Sequence, residues 1–192
     1  MAARSEIDHT PPAFAAAVER LHAAPLRPEV VVDEIPAPQR IAPHAHALSG
    51  DVEVGGVDVA TGRFILLHDP AGNEAWNGTF RCVTFARAEV ESEMAADPAL
   101  TSVGWSWLTD ALETQGGTHV AASGSVTVVT TETFGEMAGD PGSAQVEVRA
   151  SWTPTSDVDA HVAAWTELLC TLAGLPPLAP GVVPLQRRRG RR

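Results

Sequence analysis

The stretch SAQVEVRASW, residues 143–152, decides the fold class of this chain. Apolar and polar residues alternate along it, so that Val146 and Val148 lie on one face and Glu147 and Arg149 on the other. A strand with one apolar and one polar face is typical of an antiparallel sheet that is covered on one side. We therefore predict a strand here, with helices packed against its apolar face.

The segment that follows predicts one of those helices, from about Ser156 to Gly174. Its apolar residues recur every three or four positions, which is the spacing of a helix with one buried stripe. This stripe consists of Val158, Val162, Trp165, Leu169 and Leu172. Gly174, with a proline two positions later, is typical of a helix terminus.

Toward the N-terminus the same reasoning predicts the remaining elements. A helix is expected between Thr10 and Pro25, a short extended segment from Glu29 to Ile35, and three strands with short connections before Ala88. A second helix and two strands then precede the final helix. The predicted order α-βββ-α-ββ-α describes an α+β domain, with an antiparallel sheet of about five strands and helices packed on one face.

Composition indicates a soluble globular protein. The 192 residues are 44% hydrophobic, and no apolar run approaches the roughly 18 residues of a membrane helix. We find no secretory signal, so we expect a cytoplasmic protein without membrane contact, in which Cys82 and Cys170 are buried free thiols. We predict a disordered N-terminus over residues 1–9, one domain over 10–176 and a flexible Pro/Arg-rich tail over 177–192.

Charge is distributed unevenly along the chain. The net charge is −11, and the 13 basic residues are all arginines. The last six residues hold Arg187, Arg188, Arg189, Arg191 and Arg192. Because an acidic body repels phosphate backbones, we do not expect the fold itself to bind nucleic acid. If the protein binds nucleic acid, we expect this tail to make the contact. The alternative interpretation is that the tail is a solvated chain end.

The second predicted helix, from about Ser102 to Gln115, has an unusually wide apolar arc. Its core side is formed by Trp105, Leu108 and Leu112. Val103, Trp107 and Ala111 extend the arc to roughly 200°, at about 100° per residue. A helix packed on one core needs little more than about 100°. We therefore expect another part of the chain or a partner to cover Trp107 and Val103.

A second candidate binding residue is Trp76, which lies in a predicted turn close to Arg81. Tryptophan and arginine together are typical of binding hot spots. The alternative is that the indole folds back over the edge of the sheet.

The chain carries no catalytic or cofactor motif that we can identify, so we expect no cofactor, no catalytic residue and no metal ligand, and a non-enzymatic role. His44 and His46 form the pair that most resembles a metal site, because both point the same way on an extended segment. Zinc needs at least a third ligand, for which His68 is one option. Isolated histidines are the interpretation we adopt, with a metal protein or enzyme as an alternative function.

Several strings in the chain resemble an actinobacterial family of proteins of unknown function, DUF3000. They are EIPAPQR (34–40), LLHDPAG (66–72), EAWNGTFR (74–81), EMAADP (93–98) and VGWSWL (103–108). The resemblance extends from about Pro11 to Pro177 and implies no activity and no site residues.

The element order is also similar to that of type III secretion chaperones and YbjN-like proteins. This resemblance is one of topology, without a shared motif. It implies a small acidic protein that dimerises with its middle helix facing the partner subunit. We accordingly expect a homodimer or protein-binding module, chaperone-like in type, that uses Trp107, Val103, Ala111, Trp76 and Arg81. An RNA-associated factor that acts through the arginine tail is the second alternative.

Overall fold

The computed structural model describes residues 10–138 and 142–178. Within them the helices are Pro12–Ala23 (α1), Ser92–Ala95 (α2), Leu100–Thr114 (α3) and Val158–Leu172 (α4), with a short 3-10 turn at Gly135–Met137. The strands are Val30–Ile35 (β1), His44–Val54 (β2), Val57–Asn73 (β3), Gly78–Val90 (β4), His119–Thr131 (β5) and Ser143–Pro154 (β6). The N-terminus over 1–9 and the five arginines at 187–192 lie outside the described residues.

The six strands form one sheet in the order β1-β2-β3-β4-β6-β5, and every neighbouring pair is antiparallel. The predicted α+β class, antiparallel sheet and element order are confirmed. The sheet has one strand more than the five expected, because the short extended segment predicted near Glu29–Ile35 pairs with β2. In this pairing Val30 lies opposite Val52.

Helix α4 covers the centre of the sheet, as the alternation in β6 predicted. Val146, Val148 and Trp152 of β6 are fully buried. Trp165 of α4 packs closely on the sheet above Gly62, where an added Cβ would lie 3.1 Å from the Trp165 indole nitrogen. Glycine at this position therefore lets helix and sheet approach each other.

Helices α1 and α3 complete the layer on either side of α4, with which both are in contact. Helix α3 lies over β5, because a Cβ on Gly104 would lie 3.0 Å from Val126. The Trp105 ring likewise packs on Gly124 of β5. None of the helices in the described residues is long and apolar enough to cross a membrane.

Candidate functional site

The wide apolar arc of α3 is divided between the core and the surface. Ala111 is only 5% exposed and packs in the core, so it offers no surface to a partner. Trp107 is half-buried and packs partly against the core, whereas Val103 is 39% exposed. The arc is wide because α3 has two neighbours within the chain, the sheet and α4.

Val103 and Trp107 lie on the side of α3 that is turned away from α4. Leu112 marks the opposite side, since Leu112 and His161 of α4 both approach Gly117, at 3.0 and 3.1 Å from a Cβ built there. Nine residues separate Val103 from Leu112, which corresponds to about 180° around the helix. The exposed part of the arc therefore faces outward, beside β5 at the border of the sheet.

β5 is an edge strand without charge. It pairs with β6 on one side, and its other side pairs with no strand within residues 10–138 and 142–178. Its sequence, HVAASGSVTVVTT, contains no acidic residue, arginine or proline. The opposite edge, β1, is only six residues long and includes Asp33 and Glu34. Charged residues and short length protect an edge strand from pairing with other chains, and β5 has neither.

Several exposed apolar side chains lie on β5 and on the elements next to it. Those in α2, α3, β5 and the turn after β5 are Met94, Val103, Val120, Val129, Phe134 and Met137. Phe134 is 76% exposed and Met137 58%, and α2, which carries Met94, contacts β5 and β6. We refer to β5 together with Met94, Val103, Trp107, Phe134 and Met137 as the β5 flank. An apolar patch of this kind is typical of a protein interaction site.

The structure brings Trp76 and Arg81 together through Thr153. The Thr153 hydroxyl donates a hydrogen bond to the Trp76 carbonyl and accepts one from the Arg81 guanidinium at 3.2 Å. Arg81 is only 7% exposed. The Arg81 side chain is thus directed into the protein, whereas Trp76 takes part through its backbone carbonyl and its half-buried side chain stays a candidate binding residue.

Arg81 holds the start of β5 in place. Its guanidinium donates to the Ala121 carbonyl at 2.9 Å and to the Ser151 hydroxyl at 2.7 Å. Ala121 has a φ of 51° and lies where the register of β5 against β6 shifts, which is the geometry of a β-bulge. Burial lowers the pKa of Arg81, and the neighbouring Cys82 opposes this shift. Arg81 therefore links the bulge in β5 to β4 and β6.

His44 and His46 share one face of β2 but do not meet at one point. The His44 ring lies 5.7 Å from the ring of Phe14 and 6.1 Å from that of His68. The His46 ring lies 5.1 Å from that of His22, on α1. The pair that most resembled a metal site in the sequence is therefore split between two clusters.

The second cluster contains residues that sequence reasoning missed. His22, Glu34 and His46 each offer a ligand atom, and these atoms lie within 4.8 Å of one another. Glu34 pairs in register with Leu48, and His46 lies two residues before Leu48, so both side chains point to the face covered by α1. No local motif links three residues on three elements, and only the fold brings them together.

His46 is poorly satisfied within the protein. It is 9% exposed, and its Nε2 atom has no hydrogen-bond partner among the described residues. Its Nδ1 atom lies 3.7 Å from Glu34 Oε1. Burial lowers the pKa of His46 despite the nearby carboxylate, so the imidazole is neutral near pH 7.

Three further buried titratable groups are the two cysteines and His68. Cys82 and Cys170 are free and buried, as predicted, and burial raises the pKa of Cys170 to about 12 and that of Cys82 further. His68 is hydrogen-bonded to the Thr79 carbonyl at 3.0 Å, and burial lowers its pKa. Neither cysteine is a nucleophile at neutral pH, because thiols react as thiolates. The Thr79 carbonyl accepts a hydrogen bond from Nδ1 of His68 and so fixes the orientation of its ring.

The comparisons with known proteins agree with the resemblance seen in the sequence. The family model described as a protein of unknown function, DUF3000, matches residues 10–183. No curated protein and no solved structure matches the chain. The topological similarity to secretion chaperones therefore stays a prediction. The matched range covers most of the chain, and the protein belongs to the DUF3000 family.

Proposed function

We propose that this protein is a non-catalytic, cytoplasmic protein-binding module that forms a homodimer through the β5 flank. The observation that carries the proposal is the uncharged edge of β5, bordered by exposed apolar side chains. An edge strand of this kind presents unpaired N–H and C=O groups, and a second strand satisfies them by extending the sheet.

Self-pairing of β5 places no carboxylate within the paired strands, because the sequence of β5 contains no acidic residue. An antiparallel arrangement with its two-fold axis at Thr127 places Val129 of one copy opposite Ser125 of the other. Glu132, just beyond the strand, then lies opposite Ala122. The two Glu132 side chains are about 33 Å apart, at 3.3 Å per residue, which exceeds the Debye length at physiological salt. The paired strands themselves therefore bring no two carboxylates together, although the chain has a net charge of −11.

Helix α3 would take part in the same interface. Val103 and Trp107 lie on the outward side of α3, beside the strand edge, so the two-fold axis that pairs the strands also brings the two copies of this helix side together. The interface would remove the exposed parts of both residues from water. The dimer would thereby cover the part of the α3 apolar arc that neither the sheet nor α4 covers.

The oligomeric state of single variants tests this proposal by sedimentation velocity. Val129→Lys adds a charge to the pairing edge at a residue that is 42% exposed, so the folded monomer should tolerate it. Val57→Lys is the matched control, because Val57 is 63% exposed at the start of β3, beside the turn from β2. We expect wild type and Val57→Lys to sediment as dimers, and Val129→Lys and Trp107→Glu as monomers.

Two results would overturn the proposal. One is a wild-type protein that is monomeric up to the highest soluble concentration. The other is a Val129→Lys variant that dimerises as strongly as Val57→Lys. Circular dichroism of each variant establishes that a change in sedimentation reflects association and not unfolding.

A further inference from the structure

We propose that His22, Glu34 and His46 bind one divalent transition-metal ion of the zinc class. Two imidazoles and one carboxylate are a ligand set that suits such ions, in contrast to the oxygen-only sets preferred by Mg²⁺ and Ca²⁺. The site lies at the β1 edge of the sheet, under the last turn of α1. It is independent of the β5 flank, which lies at the other edge.

The distances are close to those of a metal site. Glu34 Oε1 lies 3.7 Å from His46 Nδ1, and Glu34 Oε2 lies 4.0 Å from His22 Nε2. Ligand atoms that share a tetrahedral zinc ion at about 2.05 Å are about 3.3 Å apart. Because the ligand atoms lie within 4.8 Å of one another, the distances between them need to shorten by at most about 1.5 Å. Rotations about the side-chain torsions would bring them to these distances.

The three ligands differ in burial, so that one side chain is fixed in position and two are free to rotate. His46 is held in the covered face of the sheet, whereas the side chains of His22 and Glu34 are 49% and 62% exposed. The exposed pair can rotate toward the ion without disturbing the core. A fixed ligand with two exposed ones leaves the remaining coordination position open to water, as in zinc sites that have three protein ligands.

His46 differs from the buried histidines whose role is structural. Both ring nitrogens of His161 have hydrogen-bond partners, Trp152 and Ser156. The ring of His46 has no hydrogen bond of this quality among the described residues, and its Nε2 atom is both buried and without a partner. The nitrogen that lies near the Glu34 carboxylate is Nδ1, and at 3.7 Å it is too far from Oε1 for a hydrogen bond. Nδ1 is therefore available to bind an ion shared with Glu34 and His22, and the ligand atoms of the three residues lie within 4.8 Å of one another.

Isothermal titration with Zn²⁺ on the full chain, purified without an affinity tag and stripped of metal, tests the site. We expect one equivalent to bind to wild type and to raise its melting temperature, since a ligand that binds only the folded state stabilises it. Glu34→Gln and His22→Gln should each weaken binding by at least about tenfold. Both residues are exposed, so these variants should fold normally.

His44→Gln is the matched control. His44 lies on the same strand and face as His46 but belongs to the cluster with Phe14 and His68, so its replacement should leave zinc affinity unchanged. The proposal is overturned if wild type binds no stoichiometric zinc, or if Glu34→Gln and His22→Gln bind as tightly as wild type. It is also overturned if His44→Gln loses affinity to the same degree, because the ion would then lie elsewhere. Binding of Co²⁺, read from its visible absorption, reports the coordination number independently.

Discussion

Acidification should destabilise this protein through the buried side chain of His161. Trp152 Nε1 donates a hydrogen bond to His161 Nδ1 at 3.0 Å, so Nδ1 is an acceptor and the ring proton resides on Nε2. Nε2 lies 3.2 Å from the Ser156 hydroxyl oxygen, to which it donates. A second proton on Nδ1 would face the indole N–H, and the resulting imidazolium would be buried, since His161 is 0% exposed.

The size of the effect follows from the pKa. Burial, together with the nearby His119, lowers the pKa of His161 from 6.5 to about 4. Because the folded-state pKa lies below the unfolded one, the unfolded chain takes up the proton first as the pH falls. The contribution of His161 to stability is therefore complete above about pH 6.5 and is lost as the pH falls to about 4. At about 1.4 kcal/mol per pH unit, the free energy of unfolding decreases by about 3 kcal/mol over this window.

Urea unfolding of wild type and His161→Asn between pH 7 and pH 4 measures this contribution. The Asn Oδ1 atom replaces Nδ1 as the acceptor for Trp152 but does not titrate. The variant should be less stable than wild type at pH 7, because its smaller side chain leaves a cavity. The difference between the two proteins should narrow by about 3 kcal/mol toward pH 4. A difference that stays constant across this range would refute the reasoning, since carboxylate titrations affect both proteins equally.

Two further predictions concern the core. Gly62→Ala should reduce the free energy of unfolding in urea by about 1–3 kcal/mol, because the added Cβ would lie 2.7 Å from the Leu169 side chain and 2.9 Å from a backbone carbonyl; the reasoning fails if the midpoint is unchanged. Both buried cysteines should be unreactive toward Ellman's reagent in the native protein and fully reactive in denaturant, so rapid labelling of either thiol in native buffer would contradict their burial.

Local periodicity was sufficient to predict the main elements of the fold. The structure buries the apolar face of β6 and the predicted stripe of α4. Helix α4 is buried beyond that stripe as well, because α1 and α3 both contact it. β1 was harder to predict, because its six residues, VVVDEI, do not alternate clearly between apolar and polar. It becomes a strand through ladder pairing with β2, in which Val30 meets Val52. The hydrogen bonds and side-chain contacts with β2 therefore stabilise a strand that the short sequence alone does not specify.

The candidate sites depended more strongly on tertiary structure. On α3 the sequence predicted a surplus of apolar surface, but only packing against both β5 and α4 decided that Ala111 is internal and Val103 external. Around His46 the two-residue spacing favoured His44 as its partner. The fold joins it instead to His22 and Glu34, each twelve positions from the next along the chain.

The sequence therefore determined the fold class, the order of the elements and the buried residues of β6 and of the α4 stripe. These properties depend on neighbouring residues, whose spacing of two or 3.6 residues per turn is a direct consequence of backbone geometry. Only the tertiary structure decided which strands form the two edges of the sheet. It also decided which side chains of different elements come into contact. Those contacts arise from strand register and helix packing, which depend on the combined effect of many weak interactions between residues far apart in the chain.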